Sequence, residues 1–350
     1  MDQILQFLPT IPLFRLLEGC GFPKMCVMVP ASASESRTAK VPKALAGGRL
    51  DKAALDLVGA GYSRSRIQAW IQEGLLQLDG EVILLPSQEV MEGQGIFLTI
   101  PEVEVPTIQS GLAPTVLHQD EGLLVLSKPA GLVMHGNGIG DTRPSVASWL
   151  THHFGPDLPD CQGPERRGII HRLDRDTSGV CVAALKEDVF IDLMGQFSER
   201  VVKKEYRALV YGKPRFQSDW IEKRLSPDAK RLDKVRTTTS TQKGTRDALT
   251  YWEVIESFSV GALLSIHPKT GRKHQIRVHL TSEDLPIMGD SLYRARNYGE
   301  GMLGEGHPPV TRTLLHAFAI EFENPLSGEF MKFTVEPPED FQALHQFLSA

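Results

Sequence analysis

The chain lacks long apolar runs: Pro, Gly or a charged residue cuts each one well short of the roughly 18 to 20 residues that a membrane-spanning helix needs. No membrane role is expected. Cysteine is scarce, and Cys20, Cys26, Cys161 and Cys181 include no Cys-x-x-Cys pair, so neither a zinc ribbon nor a disulfide framework is expected. A chain of 350 residues can bury a sizeable core without such staples. Net positive charge is missing too: the formal charge of −5 at pH 7, taken alone, argues against a nucleic-acid partner. The first apolar residues have no basic leader ahead of them, and Pro9, Pro12, Pro23 and Pro30 interrupt the stretch, so a cytoplasmic protein is expected.

What is present changes the reading of the charge. Between Arg200 and Arg246 stand 14 Lys and Arg against 5 Asp and Glu, so a basic face can exist on an acidic molecule. Residues 1–47 show no sustained period and read as a flexible extension. From Arg49 onward, Leu50, Ala54, Leu57 and Val58 recur at helical spacing. A second helix is expected with Ser63 as its cap, Ile67, Trp70 and Ile71 as its stripe, and Gly74 at its end. Asp79-Gly80 between two apolar runs signals a hairpin. Residues 48–100 thus form a small domain, 101–114 an extended linker, and 115–350 a large domain. In the large domain, short β-rich runs mostly follow one another without helices between them, and helices fit best at about 144–154 and 187–200. The fold class expected is α+β, a mainly antiparallel mixed sheet with flanking helices.

The small domain's Arg49-Leu50-Asp51-Lys52, Tyr62-Ser63-Arg64-Ser65-Arg66, Gly74 and Asp79-Gly80 resemble a small RNA-binding domain first known from a ribosomal protein. The resemblance implies that Arg49, Arg64 and Arg66 meet RNA phosphates.

The segment Gly168 to Val180 runs from an apolar strand end into a polar loop and out along another apolar strand, the kind of mount on which reacting groups are held. By composition alone, its two Asp among Arg and His fit a surface salt-bridge cluster equally well. His171-Arg172-Leu173-Asp174-Arg175-Asp176-Thr177-Ser178-Gly179 resembles the signature loop of the RluA-type pseudouridine synthases. Further segments match in the same order: Ser127 to His135, Lys203 to Val210, Thr270 to His279, and Leu314 to Ala317. The resemblance implies isomerisation of uridines in RNA, with large-subunit ribosomal RNA as substrate. It makes Asp174 the catalytic carboxylate, Tyr206 the active-site aromatic, Arg277 the basic partner and Leu315 an apolar wall. His171, Arg172, Arg175, Lys204 and Arg272 are expected to contact substrate or RNA, and Lys128 is read as a phosphate-binding lysine. No cofactor is expected, no metal site either, since the spacing of His171, His274 and His279 is not that of a ligand set. A monomer is expected. Two rivals stand beside this reading: a non-catalytic RNA-binding factor in ribosome assembly, and an Asp174-x-Asp176 metal-dependent phosphatase.

Overall fold

The computed structural model describes residues 33–58, 64–101, 110–136, 141, 143–155, 157–231 and 233–350. They divide into two compact units, one from within 1–53 and 68–102, the other from within 54–67 and 103–350.

In the N-terminal part, β1 (Ala33–Lys40), α1 (Leu50–Val58), α2 (Arg64–Gln72), β2 (Leu76–Leu78), β3 (Glu81–Val82) and β4 (Gly95–Pro101) follow in order, and the strands form an antiparallel sheet β1-β4-β2-β3. The helical stripes follow the expectation except at Leu57, which is half-buried: Leu50, Ala54 and Val58 are buried on α1, and Ile67, Trp70 and Ile71 on α2. Ser63 lies outside the described residues, as does most of the expected linker. Asp79 and Gly80 take φ of 51° and 88°, the double left-handed pair that a two-residue hairpin requires. Asp79 also accepts from Gly95 N at 2.7 Å and Gln94 Nε2 at 3.0 Å, which ties the turn to β4. One expectation is corrected here. Residues 33–40, assigned to a flexible extension, form β1; its sequence has no apolar alternation, and a backbone ladder with β4 holds it.

The large part runs β5 (Thr115–Gln119), β6 (Leu123–Lys128), α3 (Val146–Phe154), β7 (Ser178–Ala184), α4 (Glu187–Glu199), β8 (Lys203–Tyr211), β9 (Ser218–Glu222), β10 (Arg224–Pro227), β11 (Val235–Thr238), β12 (Leu249–Ser257), β13 (Gly261–Pro268), α5 (Gln275–Ser282), β14 (Leu315–Glu323), β15 (Phe330–Thr334) and α6 (Glu339–Ser349). Nine strands make one sheet, ordered β5-β6-β7-β14-β8-β13-β12-β9, with β15 also on β14; β10 and β11 form a separate hairpin. Each of these pairings is antiparallel except β7 with β14. This is the α+β architecture expected. No helix among the described residues is long and apolar enough to cross a membrane.

The parallel ladder within the nine-stranded sheet bears on where the site opens. β14 pairs with β7 only through His316 with Ser178 and Ala317 with Gly179, then turns to β15 from Ala319 onward. The backbones come so close that a Cβ on Gly179, whose φ is 115°, would run into the Ala317 carbonyl. Beside it, Ser178 Oγ donates to His316 Nδ1 at 2.9 Å and His316 Nε2 donates to the Val335 carbonyl at 2.7 Å. The polar loop before β7 is therefore anchored at its C-terminal end. Beneath it, Leu123–Leu126 of β6 and Val180–Ala184 of β7 pack against Leu150 of α3 and Val189, Phe190 and Leu193 of α4. Each large apolar side chain among them contributes about 1.5–3 kcal/mol when fully buried.

His279 and His316 are buried and each is held near 4 against an ordinary 6.5, burial being the largest cause. The unfolded chain takes up these protons near pH 6.5 and the folded chain only near 4, so their contribution to stability is complete above about pH 6.5 and fades as pH falls toward 4. Urea midpoints should decline over that interval, less steeply for His316→Gln than for the wild type; identical slopes would refute the assignment.

Candidate active site

Four elements converge on one cleft of about 560 Å³: the loop 169–177, α4, β8 and the turn leading into α5. Among the described residues lining it, nine are Asp, Glu, Lys or Arg, and eight of these are basic. The exception is Asp174.

The loop is gripped by its backbone. Thr177 N donates to Asp174 O at 3.1 Å, closing a four-residue turn. The Arg175 carbonyl accepts from Gly131 N at 2.9 Å and Lys128 Nζ at 3.0 Å, and the Asp176 carbonyl accepts from Arg312 Nη1 at 3.1 Å. Lys128 is 1% exposed, its ammonium also donating to the carbonyls of Pro129 and Leu132. Burial draws it down to about 8. Its expected role in binding phosphate is therefore corrected: Lys128 braces the loop from inside. Nothing in the sequence separates it from an RNA-binding lysine, because only burial makes the difference.

Helix α5 brings the cation. Arg277 donates from Nε to Asp290 Oδ2 at 2.6 Å and from Nη2 to Asp290 Oδ1 at 2.9 Å, which leaves Nη1 to reach Asp174 Oδ2 at 3.2 Å. Burial opposes the charge on Arg277, yet its hydrogen bonds and the two carboxylates outweigh this and hold it above its ordinary value. Asp290 is likewise opposed by burial and held below its ordinary value by Arg277, with Leu292 N and Tyr293 N as further donors. Asp290 and Tyr293 escaped the sequence reading; Gly289-Asp290 before Tyr293 is a faint signal of a turn and no more.

The helix is itself fixed by a closed polar network. Buried Gln275 accepts from Thr270 Oγ1 and Arg272 N and donates to the Leu249 carbonyl and Thr250 Oγ1, whose proton goes to His279 Nδ1. All four hydrogen-bonding positions of that amide are satisfied, as burial demands.

Beside the ion pair lies His274, in a left-handed conformation with φ of 54°. Tyr293 Oη accepts from Val235 N at 3.0 Å and shares a hydrogen bond with His274 Nδ1, also at 3.0 Å. The other ring nitrogen, Nε2, lies 3.9 Å from Asp174 Oδ1. Burial lowers His274 and raises Tyr293 to about 12, so both are neutral near pH 7.

Tyr206 of β8 lines the cleft, and its phenol is held above its ordinary value by burial first and by the Asp174 charge second. It stays protonated near pH 7. Leu315, opposite Ala208 in the β14–β8 ladder, forms an apolar wall. His171 stacks on Phe197 at 4.8 Å and accepts from Val182 N; burial takes it down to about 3, so it offers an uncharged face. Arg172, Lys204 and Arg272 line the cleft. Arg175 is absent from the lining and pairs with Asp176 at 2.9 Å. Arg49 precedes α1 and donates to Asp51 at 3.1 and 3.0 Å, while Arg64 and Arg66 stand in the first turn of α2.

Residues 122–282 match the protein family described as RNA pseudouridylate synthase. An uncharacterized RNA pseudouridine synthase of Aquifex aeolicus is 34% identical over 297 residues, 82% of this chain and 90% of that one. A ribosomal large subunit pseudouridine synthase D of Nitrosomonas europaea is 34% identical over 310 residues, 87% and 86% of the two chains. Its namesake from Vibrio parahaemolyticus is 31% identical, with 86% and 91% covered. Among solved structures, human RNA pseudouridylate synthase domain containing 4 superposes with a TM-score of 0.52 at 28% identity, covering 67% of this chain and 93% of that one.

Removing Asp290 leaves a buried guanidinium with half its partners gone. Asp290→Ala should cost about 3–5 kcal/mol in urea unfolding, whereas Asp176→Ala, which frees only an exposed arginine, should cost about 1 kcal/mol or less. Equal losses would contradict the clamp.

Proposed function

The chain belongs to the RNA pseudouridylate synthase family and isomerises uridines in RNA to pseudouridine, and from that premise we propose that its substrate is large-subunit ribosomal RNA and that Asp174 is the reacting carboxylate. The relatives from Nitrosomonas and Vibrio carry the substrate in their names, and they align over most of their length and of this chain. A ribosomal substrate also accounts for work in the cytoplasm. The observation that carries the catalytic reading is the single acid in a basic cleft, 3.2 Å from a guanidinium that another carboxylate holds in place.

The isomerisation breaks the N1–C1′ bond, turns the uracil within the site and joins C5 to C1′, with the C5 hydrogen leaving as a proton and N1 taking one up. Whether Asp174 attacks covalently or takes a proton from the sugar, it acts through its carboxylate oxygens, one of which Arg277 Nη1 holds at 3.2 Å. Tyr206 offers its ring to the uracil and Leu315 closes the opposite side. The uridine has to leave its stack to enter, and Arg172, Lys204 and Arg272 hold the displaced backbone by its phosphates. His171, neutral, contributes surface rather than charge. Arg175, exposed on the loop, is placed for a backbone contact outside the cleft, and Arg49, Arg64 and Arg66 serve the N-terminal part in the same way. Against the phosphatase alternative, the second carboxylate of the Asp-x-Asp pair is bound to Arg175. Family membership stands against the non-catalytic alternative.

The purified protein should release tritium from ribosomal RNA carrying 5-tritiated uridine. Asp174→Asn should cut release by more than about a thousandfold while RNA affinity is kept. Full activity in that variant would eliminate Asp174. For the N-terminal arginines, Arg64→Gln combined with Arg66→Gln should weaken RNA binding and lower the slope of log K against log salt by about 1 for each phosphate no longer neutralised. An unchanged slope would remove them from the RNA interface.

A further inference from the structure

The ion pair at Asp174 and the basic hairpin β10–β11 meet at one buried ring. Tyr293 is 3% exposed and packs with Leu225 of β10, Ala248 and Val278 of α5 in a small apolar cluster of its own. Its hydroxyl joins Val235 N of β11 to His274 Nδ1, 3.0 Å on each side. Two cations rest on its ring: Lys234 Nζ of the hairpin turn and Arg277 Cζ, each 5.1 Å from the centre. Its backbone N–H donates to Asp290 Oδ1, the carboxylate that clamps Arg277. On the outside of the hairpin, Lys230 and Arg236 are exposed to solvent. One residue thus touches the hairpin backbone, the neutral histidine beside Asp174, the guanidinium that faces Asp174 and the acid behind that guanidinium.

We propose that Tyr293 is a positioning residue that couples the β10–β11 hairpin to Arg277 and His274, so that RNA phosphate held by the hairpin sets the guanidinium against Asp174. The inference rests on the reading that Asp174 reacts and that the basic face binds RNA. The physical reason is the shortness of the linkage. A hydrogen bond tolerates only a few tenths of an ångström before it weakens, so β11 cannot shift without either losing the Tyr293 hydroxyl or carrying the ring along. A ring that moves takes His274 and Arg277 with it, since one is bonded to its hydroxyl and the other lies over its face. Misplacing a reacting group by about 1 Å can cost about a hundredfold in rate. RNA binding energy gained at the hairpin is then used for orientation, and it appears in the rate of the chemical step rather than in affinity alone.

The test is a double-mutant cycle on the full chain with ribosomal RNA carrying 5-tritiated uridine. The single-turnover rate at saturating RNA and the Kd are measured separately for the wild type, Tyr293→Phe, the hairpin pair Lys230→Gln with Arg236→Gln, and the combination. Phenylalanine keeps the packed ring and removes only the hydroxyl. Tyr293→Phe should slow the rate about tenfold or more with Kd unchanged. The hairpin pair should weaken Kd in both backgrounds, but should slow the rate only where Tyr293 is intact. Rate losses that simply multiply overturn the coupling, as does a Tyr293→Phe enzyme that turns over like the wild type. A purely structural tyrosine would lower the melting temperature without this selective effect on rate. Should Tyr293→Phe fail to fold, His274→Gln, at the other end of the same link, takes its place in the cycle with the same expected and overturning results. Full activity of Asp174→Asn overturns the catalytic reading and the coupling together, whereas an inactive Asp174→Asn beside a multiplicative cycle overturns the coupling alone.

Discussion

One guanidinium shared unequally between two carboxylates sets the terms for the rest of the large domain. Arg277 gives Asp290 two hydrogen bonds, at 2.6 and 2.9 Å, and Asp174 one, at 3.2 Å. The planar fork of arginine makes this division possible: a bidentate grip by one acid fixes the plane, and the remaining Nη1 then points in a direction that the protein has chosen. A lysine in its place would bring charge without direction. Asp290 is all but sealed and Asp174 is partly open, so one carboxylate is closed behind the guanidinium while the other faces the cleft.

A buried ion pair is a poor source of net stability, because the cost of taking its charges out of water roughly cancels their attraction. What surrounds this pair makes sense on those terms. Gln275, Thr250 and His279 close a fully satisfied polar network under α5, and Lys128 and Arg312 hold the carbonyls of the loop that carries Asp174. The core of β6, β7, α3 and α4 supplies the stability, and the polar groups supply placement. The parallel pairing between β7 and β14, made possible by a glycine at position 179, brings the loop over the middle of the sheet, where β8 presents Tyr206 and β14 presents Leu315.

The residues most legible in the sequence were those whose chemistry is local. The nine-residue loop around Asp174, the turn at Asp79-Gly80 and the helical stripes from Leu50 and Ile67 each carry their own signal within a few positions. Arg277 was legible by resemblance, not by physics, since 103 positions separate it from Asp174 and no local pattern announces their meeting. Lys128, Asp290, Tyr293 and Arg312 were misread or missed for a related reason. Their roles come from burial and from partners brought together by the fold, and a lysine bracing three carbonyls has the same composition as one awaiting a phosphate. The strand 33–40 was missed because backbone pairing asks little of side chains when a neighbouring edge is waiting for it.

The acidic character of the chain is compatible with an RNA substrate for a reason of distance. At physiological ionic strength, exposed charges separated by more than about 8 Å are largely hidden from one another. The local charge of the cleft is therefore set by the nearby Arg172, Lys204, Lys269 and Arg272, not by carboxylates on remote faces of the molecule. Crowding these cations around one cleft has its own cost, seen in Lys204, which burial and then Lys269 push down to about 8. Among the described residues of the cleft, Asp174 is the one acid beside these cations, and the two hydrogen bonds from Arg277 to Asp290 fix the guanidinium that faces it.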